Sequence, residues 1–173
     1  SMAEDGIVLI NLHTCSAWKA AVEFLLKNRM DLTQFLLDTD CNSPDSFANL
    51  SPEAFMEFGC DDNFLTDHVT FVGDREFEDS FAADLIVLAL NEAFPREDGR
   101  LWTAAEIQTL KKSSQKFSED LQKLILKETV RHRKSSARKP DIAVAIASRC
   151  DENAIPLEIK KAFESLRFRA GRC

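Results

Sequence analysis

Three groups of residues in this sequence have types and spacing that could do chemistry. The first is Asp38-Thr39-Asp40, which follows the apolar run Leu32-Thr-Gln-Phe-Leu-Leu37. In an extended chain alternate side chains share a face, so the two carboxylates would lie together. Paired carboxylates repel each other unless a cation sits between or beside them. Mg2+ is commonly held by one or two carboxylates, with water and a substrate phosphate completing its shell. The second group is Asp74-Arg-Glu-Phe-Glu-Asp79, with Glu76, Glu78 and Asp79 as further potential ligands. The third is Lys139, which closes the basic segment Arg131-His-Arg-Lys-Ser-Ser-Ala-Arg-Lys139 directly before Pro140. A lysine at such a point can contact a phosphate or stabilise charge developing in phosphoryl transfer. Each group also has an ordinary structural reading. Aspartate pairs are common in turns, carboxylates favour helix N-termini without any ligand, and single lysines are usually surface residues.

These residues need elements to position them. Ile7-Val-Leu-Ile-Asn-Leu12 is a short apolar, β-branched run, the pattern of a strand buried on both faces. Ser16 fits a helix N-cap, and Trp18, Ala21, Val22, Leu25 and Leu26 follow at helical spacing. Residues 32–37 read as a second strand ending in the aspartate pair. Strand, helix and strand make a βαβ unit with a right-handed crossover and a site at the sheet's carboxyl edge. Residues 43–67 read as a loop with one short helix begun by Ser51-Pro52-Glu53. His68-Val-Thr-Phe-Val72 reads as a third strand ended by Gly73-Asp74. If it runs parallel to its neighbours, it brings Glu76, Glu78 and Asp79 to the same edge as Asp38 and Asp40.

Beyond that point the spacing is helical. One helix is expected from Phe77 to Phe94, stopped by Pro95. Thr103 is expected to cap a second, through about Lys112, and Ser118 a third, from Glu119 to about His132. The basic segment reads as a loop, followed by elements from Pro140 to about Cys150 and from Pro156 to about Phe168. The fold class is therefore α/β: a parallel-dominated sheet of three to four strands with flanking helices and a helical C-terminal half. Residues 1–6 read as a tag remnant and leader, and residues 7–173 as one domain with an acidic α/β part (7–95) and a basic helical part (100–173).

Charge follows the same division. Residues 1–99 hold 5 Lys/Arg against 20 Asp/Glu, whereas residues 100–173 hold 17 against 9. A polyanion would be repelled by the first part and attracted by the second, so a metal site and a phosphate-binding surface could be separate in sequence. The alternative is that the two parts simply neutralise each other. No apolar stretch approaches the ~20 residues of a bilayer span, and the acidic start lacks the basic end of a secretory signal, so the expected compartment is cytoplasmic. The cysteines at 15, 41, 60, 150 and 173 are an odd number without a C-x-x-C pair, which disfavours a disulfide framework or a zinc site.

Other arrangements are weaker. Pro140-Asp141 with Glu158-Ile159-Lys160 imitates the P-D…E-x-K pattern of restriction-type nucleases, but that needs a strand where Ile159, Ala162, Phe163 and Leu166 keep helical spacing. His13 and Cys15 lack a visible third group to orient a nucleophile. Trp102 could stack on nucleic acid, but fits core packing under the preceding turn better.

The strand-helix-strand-D-x-D order, the segment Phe71-Val-Gly-Asp-Arg-Glu-Phe-Glu-Asp-Ser-Phe81, and the late Lys139-Pro140-Asp-Ile-Ala-Val-Ala-Ile-Ala147 with Ile155-Pro156 and Glu158–Leu166 resemble the C-terminal Toprim nuclease domain of the OLD (overcoming lysogenization defect) family. The resemblance spans most of residues 7–168. It implies a Mg2+- or Mn2+-dependent DNA endonuclease, often joined to an ATPase domain or subunit and often serving in antiviral defence. It also implies that Asp38 and Asp40 are metal ligands, that Glu76, Glu78 or Asp79 adds another, and that Lys139 is the late catalytic lysine, with Glu78 as its catalytic partner. Arg131, Arg133, Lys134, Arg138 and Lys139 would then touch DNA phosphates. A homo-oligomer is compatible with this reading. Toprim domains begin with a strand ending in Glu-Gly, and the residues before Ile7 hold no equivalent. A second expectation therefore stands beside the first: a degenerate, non-catalytic Toprim-like module that binds a partner protein or nucleic acid.

Overall fold

The computed structural model describes residues 18–42 and 51–171, and the expected strand at 7–12, Ser16, His13 and Cys15 lie outside them. The chain divides into two compact units, Ser1–Phe71 with Leu157–Cys173, and Val72–Pro156. The first holds 8 Lys/Arg against 14 Asp/Glu and the second 14 against 15. The sequence's charge asymmetry is thus not a division into one acidic and one basic body.

In the first unit, helix α1 (Trp18–Arg29) leads through a 3-10 turn at Met30–Leu32 into strand β1 (Phe35–Asp38). The strand starts later than the apolar run suggests. Thr33 closes the turn, donating its N–H to the Met30 carbonyl at 3.1 Å and its hydroxyl to the Arg29 carbonyl at 2.6 Å. Ser51 caps α2 (Pro52–Glu57) as expected, with Pro52 at the first helical position. Helix α3 (Asp62–His68) was not expected; Asp61 caps it, its carboxylate accepting the Phe64 N–H at 2.8 Å. Strand β2 (Val69–Val72) follows at once and pairs in parallel with β1. The sheet has two strands among the described residues rather than three to four.

Phe35 and Leu37 of β1, Phe55 of α2, Phe64 of α3 and Val22 of α1 form this unit's buried core, with Cys60. Helix α8 (Leu157–Arg169) buries Ile159 and Ala162. Because residues 157–169 are helical, the strand that a restriction-type P-D…E-x-K site requires does not form.

The second unit is helical. It contains α4 (Ala83–Ala93), α5 (Ala104–Ser113), α6 (Phe117–Glu128) and α7 (Lys139–Ala147), with 3-10 turns at Phe77–Ser80 and Arg131–Ser136. Its core is built from Ile86, Leu90, Trp102, Ile107, Leu121 and Ile125, each no more than 2% exposed. Burying such side chains contributes on the order of 1.5–3 kcal/mol each. Trp102 is a core residue: its indole N–H donates to the Phe94 carbonyl at 2.7 Å, and the Arg96 guanidinium lies 4.2 Å from its ring centroid. Thr103 caps α5 with a reciprocal capping box to Glu106.

Two helix starts depart from expectation. The helix expected at 77–94 breaks at Phe81 and Ala82, which are extended. Lys111 accounts for the break, donating to the carbonyls of Asp79 and Phe81, groups that a continuous helix would have used internally. Helix α6 begins at Phe117 rather than after Ser118, and Lys116 at its N-cap makes no side-chain capping bond. None of the helices among the described residues is long and apolar enough to cross a membrane.

Candidate functional site

Asp38 is the last residue of β1, while Asp40 and Cys41 sit in the 3-10 turn Thr39–Asn42 that follows. The two aspartates are therefore brought together by a turn and not by the strand's pleat, and the turn swings Cys41 in beside them. One ligand atom from each of Asp38, Asp40 and Cys41 lies within 4.8 Å of the others, the one such group of three among the described residues. Asp38 and Cys41 are half-buried and Asp40 is exposed. The Cys41 thiol is pushed up to about 11, by burial first and then by the negative charges of Asp38 and Asp40.

The second group of acids belongs to the other unit and is largely committed to holding backbone. Gly73, at φ +81, turns the chain out of β2; a Cβ there would lie 2.8 Å from the Glu76 carbonyl carbon. The following loop wraps the Asp79 carboxylate, which accepts the N–H groups of Asp74 at 2.7 Å, Arg75 at 3.0 Å and Glu76 at 3.1 Å. Glu76 is buried at 9% exposure, and its carboxylate accepts the Ser118 N–H at 2.7 Å and the Ser118 hydroxyl at 3.1 Å. It supplies the cap that α6 lacks locally. The Arg75 guanidinium reaches back to the Ser114 carbonyl, tying the same loop to the end of α5.

Glu78 differs from its neighbours. It is half-buried, and burial raises its carboxyl above the usual carboxylate range; its own backbone bond and the charge of Lys139 oppose the shift, while Glu76 and Asp79 add to it. Lys139, the first residue of α7, also lies near Glu119, with Nζ 3.7 Å from Oε1. The structure thus brings Glu78 and Lys139 into electrostatic reach of each other.

The basic residues fall into two sets. Arg138 forms a two-pronged pair with Asp141, at 2.8 and 3.2 Å, and Lys139 has Glu119. Arg131 and Arg133 are exposed and Lys134 is half-buried in the 3-10 turn, and among the described residues no carboxylate lies within 4.0 Å of their charged nitrogens. His132 is exposed beside them, whereas His68 is buried, stacked on Phe64, with Nδ1 2.8 Å from the Thr33 carbonyl. An open cleft of about 300 Å³ is lined by Glu97, Asp98, Lys127 and Glu128, none of which the sequence singled out.

The Mg2+ or Mn2+ implied by the sequence resemblance can be tested against these donors. Asp38 and Asp40 offer the hard oxygen ligands such ions prefer, but the third atom at hand is a sulfur, which they do not favour. Glu76 and Asp79 already accept two and three hydrogen bonds. The set Asp38, Asp40 and Cys41 could hold a metal ion, but it does not match an all-oxygen magnesium cage. No protein-family model, curated protein or solved structure matches the chain.

Proposed function

We propose that the protein is a Toprim-like module that binds nucleic acid and does not itself cleave it. The observation that carries this reading is the 3-10 turn at 131–136, where Arg131, Arg133 and Lys134 stand without a carboxylate within 4.0 Å among the described residues. Cations held in that way are available to phosphate, and each phosphate contact releases condensed counterions. The non-catalytic part of the proposal is supported by Glu76 and Asp79. Metal-dependent hydrolysis needs carboxylates open to an ion, and these two are consumed by the α6 cap and the loop at 74–76.

Fluorescence anisotropy with a labelled duplex tests the reading. Binding is expected to fall steeply with added salt and to be indifferent to EDTA. In parallel, supercoiled plasmid is incubated with the protein and Mg2+ or Mn2+. Nicking that EDTA abolishes and that Asp38→Ala removes would replace this reading with the metal-dependent endonuclease. Absence of salt-sensitive binding would remove the nucleic-acid function altogether.

A further inference from the structure

We infer that Ser136 is a phosphorylation site, and that a phosphoryl group there switches off the turn at Arg131–Ser136 as a nucleic-acid contact. The inference rests on the nucleic-acid reading of that turn and adds its regulation. Ser135 and Ser136 are both exposed, and neither hydroxyl has a hydrogen-bond partner among the described residues. The geometry of the turn separates the two. In a 3-10 helix residues three apart eclipse one another, so Ser136 stands in line with Arg133, while Ser135 stands in line with His132. A phosphoryl group on Ser136 is therefore placed beside a guanidinium that has no carboxylate within 4.0 Å among the described residues. Phosphate oxygens pair with a guanidinium through short, charge-assisted hydrogen bonds.

The same residues supply the means of recognition. Arg131, Arg133 and Lys134 precede Ser136, and the whole segment from Arg131 to Lys139 holds no acidic residue. A serine kinase with an acidic substrate groove is complementary to that segment by charge. The kinase's base takes the Ser136 hydroxyl proton, the Oγ–phosphorus bond forms, and the bond from the γ-phosphorus of ATP to its bridging oxygen breaks, releasing ADP. Entry into such a groove requires the turn to open. Among the bonds that close it are Arg133 N–H to the Val130 carbonyl at 2.9 Å and Ala137 N–H to the Lys134 carbonyl at 3.2 Å. A 3-10 run of this length is already uncommon, and an exposed turn belongs to the readily opened part of a fold. Thr129 and Ala137 on either side are buried, so the opening stays local. The added charge of about −1.5 to −2 offsets half or more of that carried by Arg131, Arg133 and Lys134. A polyanion then meets little net attraction at the turn.

The full chain is treated with Mg-ATP and the catalytic subunit of cyclic-AMP-dependent protein kinase, and the modified residue is mapped by peptide mass spectrometry. Phosphate is expected on Ser136, to be retained in Ser135→Ala and lost in Ser136→Ala. Anisotropy with a labelled duplex on the same samples should show affinity at low salt falling by at least about tenfold on phosphorylation. The log–log salt slope should flatten by about 1.8, the equivalent of two phosphate contacts, and phosphatase treatment should restore both. Ser136→Ala should bind duplex as the untreated chain does, before and after exposure to the kinase. No incorporation, phosphate that goes to another residue, or phosphorylated Ser136 with unaltered affinity and slope would each overturn the inference. Failure of the untreated chain to bind duplex is a separate result: it ends the nucleic-acid reading and takes the switch with it, whereas duplex binding that phosphorylation leaves intact ends the switch alone.

Discussion

The carboxylate of Glu76 holds Ser118 by both its backbone N–H, at 2.7 Å, and its hydroxyl, at 3.1 Å, across 42 residues of chain. The contact sits at the N-terminus of α6, where the helix dipole favours a negative charge and where Lys116 provides no side-chain cap. It therefore joins the loop after β2 to the helical core of the second unit. Glu76→Ala leaves the Ser118 groups without their partner in a buried setting and should lower unfolding free energy by about 1–3 kcal/mol. Ser118→Ala removes only the hydroxyl bond and should cost about 0.5–1.5 kcal/mol. Urea denaturation of the three proteins measures both, and equal losses for the two variants would mean that the backbone bond contributes nothing.

How much of this was legible in the sequence depends on how far apart the partners are. Thr103 with Glu106, Ser51 with Pro52, and the stop at Pro95 are local signals, and each element starts or stops where they say. The cap of α6 was misread because its carboxylate comes from 42 residues upstream, and periodicity alone made Ser118 the nearest suitable side chain. The break at Phe81 was invisible for the same reason: Lys111, which takes the carbonyls of Asp79 and Phe81, is some 30 residues away. At the candidate site, Asp38 and Asp40 were legible as a pair but for the wrong geometric reason. A strand pleat would have sent Cys41 to the opposite face, so its place in the cluster follows only from the 3-10 turn. The signal was present in a cysteine at i+3 from the first aspartate, a spacing that a turn brings together and a strand does not.

Glu78 makes stability depend on pH in a direction opposite to that of a paired carboxylate. Burial raises its carboxyl in the folded chain, so the folded state binds the proton more readily than the unfolded one. Stability from this group is then lost as pH rises through the interval between the ordinary and the raised value, and the loss is complete above it. Glu78→Gln removes that loss. The variant should melt higher than wild type at pH 7, and the difference should close only about a unit or more below the ordinary glutamate value of about 4.3, where the carboxyl is neutral in both states. Lys139→Ala, by removing the charge that opposes the shift, should widen the difference. A constant offset across the pH range would assign the effect to packing.

In the first unit, Arg169 at the end of α8 donates to the carbonyls of Asp31 at 3.0 Å, Asp67 at 2.8 Å and Thr33 at 3.3 Å, and to the Gln34 side chain at 2.8 Å. It binds the turn before β1 to the end of α3, the segments that frame the two-stranded sheet. Lysine cannot reproduce this fork, because its donors radiate from one nitrogen. Arg169→Lys should therefore behave much like Arg169→Ala, each costing about 1–3 kcal/mol in chemical denaturation. Rescue by lysine would show that charge rather than donor geometry matters.

The proposed nucleic-acid surface makes a prediction about slope as well as affinity. If Arg131 and Arg133 each neutralise a phosphate, replacing both with alanine removes about two counterion-release events, and the log–log salt dependence of duplex affinity should flatten by about 1.8. Arg138 is different, because its guanidinium is already engaged by Asp141 in a two-pronged pair at 2.8 and 3.2 Å. Arg138→Ala should then change the slope little. Asp141→Asn, which frees that guanidinium, should steepen the slope and tighten binding at low salt. Binding isotherms at several salt concentrations measure all three variants. The reading fails if the double arginine variant keeps the wild-type slope, or if Asp141→Asn leaves it unchanged while Arg138→Ala flattens it, since the phosphate contacts would then lie elsewhere on the chain.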